Sequence, residues 1–406
     1  MALNRYTSVK PGTSASTHLD FIRGMAALVV YATHIRELFY PEYHEVAAGG
    51  FTLSGFYLVT KMGHAAVLVF FVLSGYLVGG SVLKDLFADR WSWKNYLLKR
   101  GTRLYIVLIP ALLLTVFWDA TSARWFGSLP LPWFDPGSTL IPSHTGISTF
   151  VCNLFFLQTI ISPPYGSDGA LWSLSWEWWY YILFPCCLLA LKSKRRVLYT
   201  LLAVAVVALV GWKITLYFAI WMMGASIGLW PDHWRKRFNI SVLLIALVGA
   251  LVVDAVVDWK IGSDALMFVA DLGVGLTTAL LIGALLKNTQ TKSSGAYALI
   301  SHRLALLSYT LYVVHAPFLV FMRNAFVRKP LNPTLASVPL VLTIAVLGLL
   351  YASVVWWAAE ARTDDVREMI GRKLGIAQAP PKEPHPAFQD ADPDPFTATH
   401  RPHRSA

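Results

Sequence analysis

The 406-residue chain contains little charge and little cysteine. Charged residues make up 14% and apolar residues 56%, against about 25% and about 45–50% in soluble globular proteins. A soluble protein of this size needs more polar side chains to cover its water-facing surface. The three cysteines lack metal-ligand spacing, and we interpret them as core residues. The composition excludes collagen-like, disordered and disulfide-rich classes and indicates a multi-pass helical membrane protein.

The charge that is present has a positive bias, with a formal net charge of +11. In a soluble protein this excess would suggest a nucleic-acid partner. Here the Lys and Arg residues lie between long apolar runs, where such residues set membrane topology. We therefore expect membrane lipid and no nucleic acid as a partner.

Ten apolar runs reach the length of about 20 residues that crosses a bilayer. They are 19–40, 64–83, 97–118, 170–191, 197–213, 214–230, 239–258, 264–286, 303–322 and 336–358. An eleventh stretch, 147–161, is shorter and ends in Ser-Pro-Pro. The pattern predicts an all-α, polytopic membrane helix bundle with about ten transmembrane helices and one short re-entrant or interfacial helix.

Basic residues orient this bundle. With ten spans and a cytoplasmic N-terminus, nineteen Lys and Arg residues face the cytoplasm and eight face outward, besides seven in the C-terminal tail. This distribution follows the positive-inside rule and predicts that both termini are cytoplasmic. The predicted organisation is an N-terminal cytoplasmic segment (1–18), a transmembrane domain (19–360) and a cytoplasmic tail (361–406). The tail is rich in Pro and polar residues and is predicted to be disordered from about 375.

Titratable residues within the apolar runs are the first candidates for a site, because charge inside a membrane is costly. Arg23 and His34 are eleven residues apart, so they lie near one helix face about 16 Å apart along the axis. Counting from the run boundaries places Glu177 and His315 at about the depth of His34. We therefore predict a common polar site for the three groups. A snorkelling Arg23 and an isolated, hydrogen-bonded core histidine are the alternatives.

Further arginines lie at the predicted cytoplasmic end. Arg100 and Arg103 are three positions apart and share a helix face. Together with Arg23 they could form a pocket for phosphate groups, which guanidinium forks bind with paired donors. A simple positive-inside anchor is the alternative. We interpret Ser74, which precedes Gly75, as part of a close helix contact rather than as a nucleophile.

Five strings in this order resemble membrane acyltransferase family 3, the integral membrane O-acyltransferases that modify bacterial surface polysaccharides. The matching strings are 19–24 leading to His34, 70–77, Arg100-x-x-Arg103, 171–177 and 308–315. The resemblance implies an acyl-CoA donor, usually acetyl-CoA, approached from the cytoplasm of a cell whose inner membrane holds the protein. It implies a hydroxyl acceptor on a sugar-containing molecule, such as a surface polysaccharide or glycolipid. Trp178 stands where many members carry a second carboxyl or amide group.

The predicted function is therefore O-acyl transfer, with Arg23, Arg100 and Arg103 binding the donor and no metal. His34, Glu177 and His315 are the predicted catalytic residues. His34 would act as general base on the acceptor hydroxyl, and Glu177 would orient it as the carboxylate does in a triad. A proton-coupled transporter or flippase is the alternative, since His and Glu also form proton relays. The lack of a visible internal repeat argues against it.

Overall fold

The structure is a computed structural model that describes residues 6–7, 9–46, 51–127, 144–261, 263–288 and 292–376. Helix accounts for 82% of it, and no strand occurs within the described ranges. This is the outcome expected in a bilayer, where a helix satisfies its backbone hydrogen bonds within one segment. The prediction of an all-α fold is confirmed.

The described part of the chain contains fourteen α-helices. They are α1 (Ser14–Phe39), α2 (Phe51–Thr60), α3 (Gly63–Ser74), α4 (Gly80–Phe87), α5 (Trp93–Phe126), α6 (Ile147–Leu154), α7 (Trp172–Lys192), α8 (Arg196–Ser226), α9 (Asp232–Arg237), α10 (Ile240–Lys260), α11 (Asp264–Leu285), α12 (Ala296–Phe326), α13 (Val338–Ala358) and α14 (Thr363–Lys373). A π-helical turn, Gly75–Gly79, joins α3 to α4.

Eight helical segments among the described residues are long and apolar enough to cross a membrane. They are Leu53–Phe87, Trp93–Phe126, Gly169–Lys192, Arg196–Leu229, Ile240–Trp259, Asp264–Leu285, Ala296–Phe326 and Val338–Lys373. α1 coincides with the first predicted span, but its sequence carries four charged residues and it is not among the eight. The protein is thus a multi-pass membrane protein. The count of ten spans and the orientation of the termini stay predictions.

One of the eight segments contains two of the predicted spans. Gly211, with φ 79° and ψ 178°, breaks the helical path of α8. After this break, Tyr217 contacts Trp176 and Trp221 contacts Phe184, with ring centroids 5.2 and 5.0 Å apart. Residue numbers increase together in the two contacts, so the second half of α8 runs parallel to α7. Because α8 begins directly after α7 ends, its first half runs the opposite way, and the chain reverses at Gly211.

The short stretch 147–161 forms only the eight-residue helix α6. Eight residues rise about 12 Å, less than half of a hydrocarbon core about 30 Å thick. Beyond α6 the chain turns inward at Phe156, which is fully buried. The Phe156 carbonyl accepts a hydrogen bond of 2.8 Å from Trp179 Nε1 on α7. The stretch therefore folds back against the bundle and does not form a span of its own.

Two segments form helices where the sequence analysis predicted none. α2 lies in a region between the first two predicted spans, and α14 lies in the predicted tail. The segment predicted to be disordered from about 375 lies almost wholly outside the described residues, which end at 376.

A close helix contact that bears on the site joins α1 to α12. The two helices are parallel, since His18 hydrogen-bonds Tyr297 at one end and His34 hydrogen-bonds His315 further along. Between these points, a Cβ added at Gly24 would lie 2.5 Å from Leu304 Cβ. A glycine is required there for the helices to pack at this separation.

Ser74 and Gly75 form a second close contact, as the sequence predicts. A Cβ on Gly75 would collide with the backbone carbonyl oxygen of Trp221 on α8. Ser74 Oγ accepts a hydrogen bond of 3.2 Å from Trp221 Nε1. The pair holds α3 against α8.

We predict that Gly24→Val lowers stability by about 1–3 kcal/mol, the usual cost of overpacking. The matched control is Gly249→Val in α10, where an added Cβ meets nothing within 4 Å. Thermal unfolding midpoints of the two purified variants in detergent measure the difference. Equal losses at the two positions would contradict close packing at Gly24.

Candidate active site

Two histidines from adjacent helices meet inside the bundle. His34 Nδ1 of α1 and His315 Nε2 of α12 are 2.6 Å apart. The rings are nearly parallel, at 15°, with centroids 4.9 Å apart. His315 is fully buried, whereas His34 is partly exposed. The sequence prediction that the two imidazoles share a depth agrees with this contact.

The hydrogen bonds of this pair specify which nitrogen carries each proton. His315 Nδ1 lies 2.8 Å from the carbonyl oxygen of Leu311, which can only accept, so Nδ1 carries the proton. In the neutral ring, His315 Nε2 is then the acceptor of the His34 Nδ1–H. A neutral His34 consequently has its basic lone pair on Nε2. The pair therefore presents one oriented imidazole base, supported by a second, fully buried ring.

Glu177 does not occupy the orienting position that the sequence analysis gave it. Its Oε1 accepts a hydrogen bond of 2.6 Å from the Tyr181 hydroxyl, one turn further along α7. The Nδ1 atom of His34 has one in-plane hydrogen-bonding position, and His315 holds it. The orienting partner of His34 is therefore an imidazole. Matching depth, which the sequence provides, does not fix the direction in which a helix presents a side chain.

Of the three predicted arginines, Arg23 lies toward the other end of α1, and Arg100 and Arg103 lie on α5, which packs against α12. Arg23 and Arg103 are close enough for their like charges to interact. Arg23 donates to Asp20 Oδ1 at 3.1 Å, and Arg103 lies over the ring of Tyr309 at 5.7 Å. Arg100 lies over the ring of Tyr96 at 5.8 Å. Like charges held this close favour an anionic ligand.

Glu360 is a member of this end of the site that the sequence analysis missed. It lies in the 3₁₀ turn after α13, and its charge acts on both Arg23 and Arg103. Its Oε2 accepts a hydrogen bond of 2.5 Å from Thr310 Oγ1. In the sequence it is only the first charge after an apolar run, which is typical of any span boundary.

Tyrosines on α12 connect the two ends. Tyr309, Tyr312 and His315 are spaced three apart and so lie along neighbouring parts of one helix face. The Tyr309 hydroxyl donates to the Leu104 carbonyl at 3.1 Å. The Tyr312 ring is 6.5 Å from that of His315. We call these three α12 residues the α12 column.

Glu177 faces the α12 column from α7. Its charge acts on the hydroxyls of Tyr309 and Tyr312. Its hydrogen-bond partner Tyr181 contacts Ser74 Oγ at 3.2 Å. The carboxylate thus lies between the arginine end and the histidine pair.

A serine in a sequence that resembles a hydrolase nucleophile motif has only a structural role. Residues 224–228 read Gly-Ala-Ser-Ile-Gly, but Ser226 ends α8 instead of standing on a strand-to-helix turn. Its hydroxyl donates to the Met223 carbonyl and accepts from Trp230 Nε1. Among the described residues, no group of three or more His, Cys, Asp and Glu side chains is placed to hold a metal ion.

Comparison with known proteins identifies the chemistry that this geometry serves. The sequence profile of a family described as an acyltransferase domain matches residues 17–357. The chain belongs to this acyltransferase family. It is also 25% identical, over 279 residues, to an O-acetyl transferase of Shigella phage Sf6. The match covers 62% of this chain and 73% of the phage protein. No solved structure matches.

The protein is therefore an O-acyltransferase, as the sequence predicts. The matched region includes all six predicted site residues, and it ends just before Glu360. The transporter alternative has no support from these comparisons. The roles of the individual residues stay predictions.

We predict that His34→Ala lowers the rate of acyl transfer by at least about 100-fold, the usual contribution of a general base. His315→Ala should lower it less, because the base remains and only its orientation is lost. Initial rates of the purified proteins measure both effects. His233→Ala, on the exposed surface of α9, is the control. A wild-type rate in His34→Ala would remove the base assignment.

Proposed function

We propose that this O-acyltransferase moves an acyl group, most simply acetyl, from acyl-CoA to a hydroxyl of a carbohydrate or glycolipid acceptor. The donor would bind at the cytoplasmic face of the inner membrane. The observation that carries the proposal is the 2.6 Å contact between His34 and His315, on helices that also carry or contact the arginines. It supplies an oriented base at a fixed distance from an anion-binding end.

The arginine end has the donors that the phosphates of CoA require. The Nε atoms of Arg23 and Arg100 are buried and make no hydrogen bond within the described structure. An unsatisfied buried donor is costly, and a phosphate oxygen would satisfy it. From Arg23, His34 lies about 16 Å along the same helix. The pantetheine arm of CoA would cover much of this distance.

The α12 column and Glu177 would border the path of that arm. Pantetheine contains amide N–H groups, which a carboxylate accepts well. Glu177 is held by Tyr181 and faces Tyr309 and Tyr312. We therefore assign Glu177 to the donor path, where it would position the arm and bring the thioester to His34.

The transfer step needs one base and no added oxidant or metal. His34 Nε2 would take the proton from the acceptor hydroxyl as the oxygen attacks the thioester carbonyl carbon. The new C–O bond forms, the C–S bond breaks, and the electron pair leaves with the CoA sulfur. His34 would then return the proton to the thiolate. The products are an ester and free CoA. His315 would stabilise the cationic ring by accepting the His34 Nδ1–H.

A hydroxyl acceptor and an acetyl group agree with the name of the phage relative, O-acetyl transferase, and the carbohydrate class is what the family resemblance implies. The test compares surface glycans and glycolipids from cells that express the wild type or the His34→Ala variant. Mass spectrometry should detect an acyl group that only the wild type adds. Identical acylation in both strains would contradict the proposal.

Donor binding provides a separate prediction. Arg23→Lys keeps the charge but removes the guanidinium fork, so the KM for acetyl-CoA should rise about tenfold, equivalent to about 1.4 kcal/mol. Arg103→Lys should act in the same direction. Steady-state kinetics with varied acetyl-CoA measure the change.

The control is Arg195→Lys, an exposed arginine between α7 and α8. Its KM should match the wild type. A donor KM that is unchanged in both Arg23→Lys and Arg103→Lys would place the CoA phosphates elsewhere.

A further inference from the structure

A carboxyl group that the chemistry above does not use is buried beside the site. Asp168 is fully buried, and both of its carboxyl oxygens lack a hydrogen-bond partner among the described residues. Burying such a group without a partner is costly, because it loses its hydrogen bonds to water and gains none in return. A native position with this cost calls for a functional explanation.

The neighbouring carboxylate shows that partners were available in this loop. Asp119 of α5 accepts from Ser167 twice, from the backbone N–H at 2.8 Å and from Oγ at 2.5 Å. Asp168 is the next residue, yet its side chain forms no cap on the 3₁₀ turn Gly169–Leu171 that it precedes. The loop therefore satisfies one carboxylate completely and leaves the next one unpaired.

Asp168 lies closer to Tyr312 than to Tyr309 of the α12 column. Its carboxyl is within electrostatic range of the hydroxyls of Tyr312 and Tyr351. Tyr312 in turn hydrogen-bonds Ser173 at 2.6 Å, and its ring lies 6.5 Å from His315. Asp168 thus lies just before α7, on the side of the column where Tyr312 approaches His315. The arginines lie toward the opposite end of the column, beside Tyr309.

The environment also suits a neutral ligand rather than a cation. Burial raises the pKa of the Asp168 carboxyl well above its usual range, and the Asp119 charge raises it further. A protonated carboxyl both donates and accepts a hydrogen bond. Adjacent hydroxyls of a sugar ring offer the matching acceptor and donor.

We propose that Asp168 is a positioning residue for the acceptor and binds a hydroxyl adjacent to the one that His34 deprotonates. This assignment rests on the proposed function, because it presupposes an acceptor with several hydroxyls. The acceptor then satisfies the unpaired carboxyl, and a molecule with a single hydroxyl leaves it unpaired. Sites of this kind discriminate strongly against analogues that lack the bonded group.

The test uses two soluble acceptors of similar ring size with the purified full-length protein. Methyl β-glucoside presents adjacent hydroxyls, and cyclohexanol presents one. In Asp168→Leu, kcat/KM for methyl glucoside should fall about 100-fold. The value for cyclohexanol and the KM for acetyl-CoA should not change. Asp168→Asn keeps the shape and one acceptor oxygen, so its kcat/KM for methyl glucoside should lie between the values of Asp168→Leu and the wild type. If Asp168→Leu does not fold, Asp168→Asn takes its place in the test.

The thermal stability of Asp168→Leu distinguishes acceptor positioning from a purely structural role of Asp168. Because Asp168→Leu replaces an unpaired polar group by an apolar one, its unfolding midpoint should equal or exceed that of the wild type. Asp264→Asn, an exposed aspartate that begins α11, is the control for loss of a carboxylate. A folded Asp168→Leu with wild-type kinetics, or with equal losses for both acceptors, would overturn the assignment.

The outcomes also separate this proposal from the proposed function. Normal acyl transfer to methyl glucoside by the variant contradicts the role of Asp168 alone. If the wild type acylates neither probe, or cyclohexanol alone, the acceptor class is wrong and the assignment of Asp168 is overturned with it.

Discussion

At Gly24 the backbone of α1 lies against Leu304 of α12, with no space for a side chain. This close approach brings His34 within hydrogen-bond distance of His315, because both histidines project from the same two parallel helices. A histidine contact depends on helix separation within a few tenths of an ångström. The proposed base therefore depends on two helices packed together, and α12 contributes more than the ring of His315. The same helix carries Tyr309 and Tyr312, which contact α5 and α7.

Polar groups in this bundle fall into two kinds. Some form complete networks, such as Asp271, which accepts from His64 at 3.1 Å and from the Tyr217 hydroxyl. Such networks fix helices relative to one another, and each of their polar atoms already has a partner within the protein. Others keep unsatisfied atoms although they are buried, such as the Nε of Arg23 and the carboxyl of Asp168. These two groups lie toward opposite ends of the α12 column and carry opposite chemical character, which is why they suit two different substrates.

The sequence predicts the helices well and the side-chain pairings only in part. Apolar length is a one-dimensional property, so the long apolar helices follow from it, and Gly211 breaks α8 close to the predicted boundary between 197–213 and 214–230. Depth follows from counting residues, and it places His315 beside His34. The rotation of α7 about its axis does not follow, and Glu177 therefore contacts Tyr181 where the sequence suggested His34. Asp168 and Glu360 could not be found this way, because each lies just outside an apolar run and resembles an ordinary loop or boundary charge.

The two ends of the column would sort the substrates by charge. The phosphates of CoA are strongly anionic, so they would remain at Arg23 and Arg103, and the carboxylate of Asp119 would oppose their approach to the other end. The thioester is uncharged and would reach His34 at little electrostatic cost. A neutral hydroxyl is not steered by charge and must be recognised by hydrogen bonds instead, which is what an unpaired buried carboxyl provides. On this proposal the pantetheine arm spans the distance between the ends and holds the acyl group at His34, while the CoA phosphates and the acceptor stay at opposite ends.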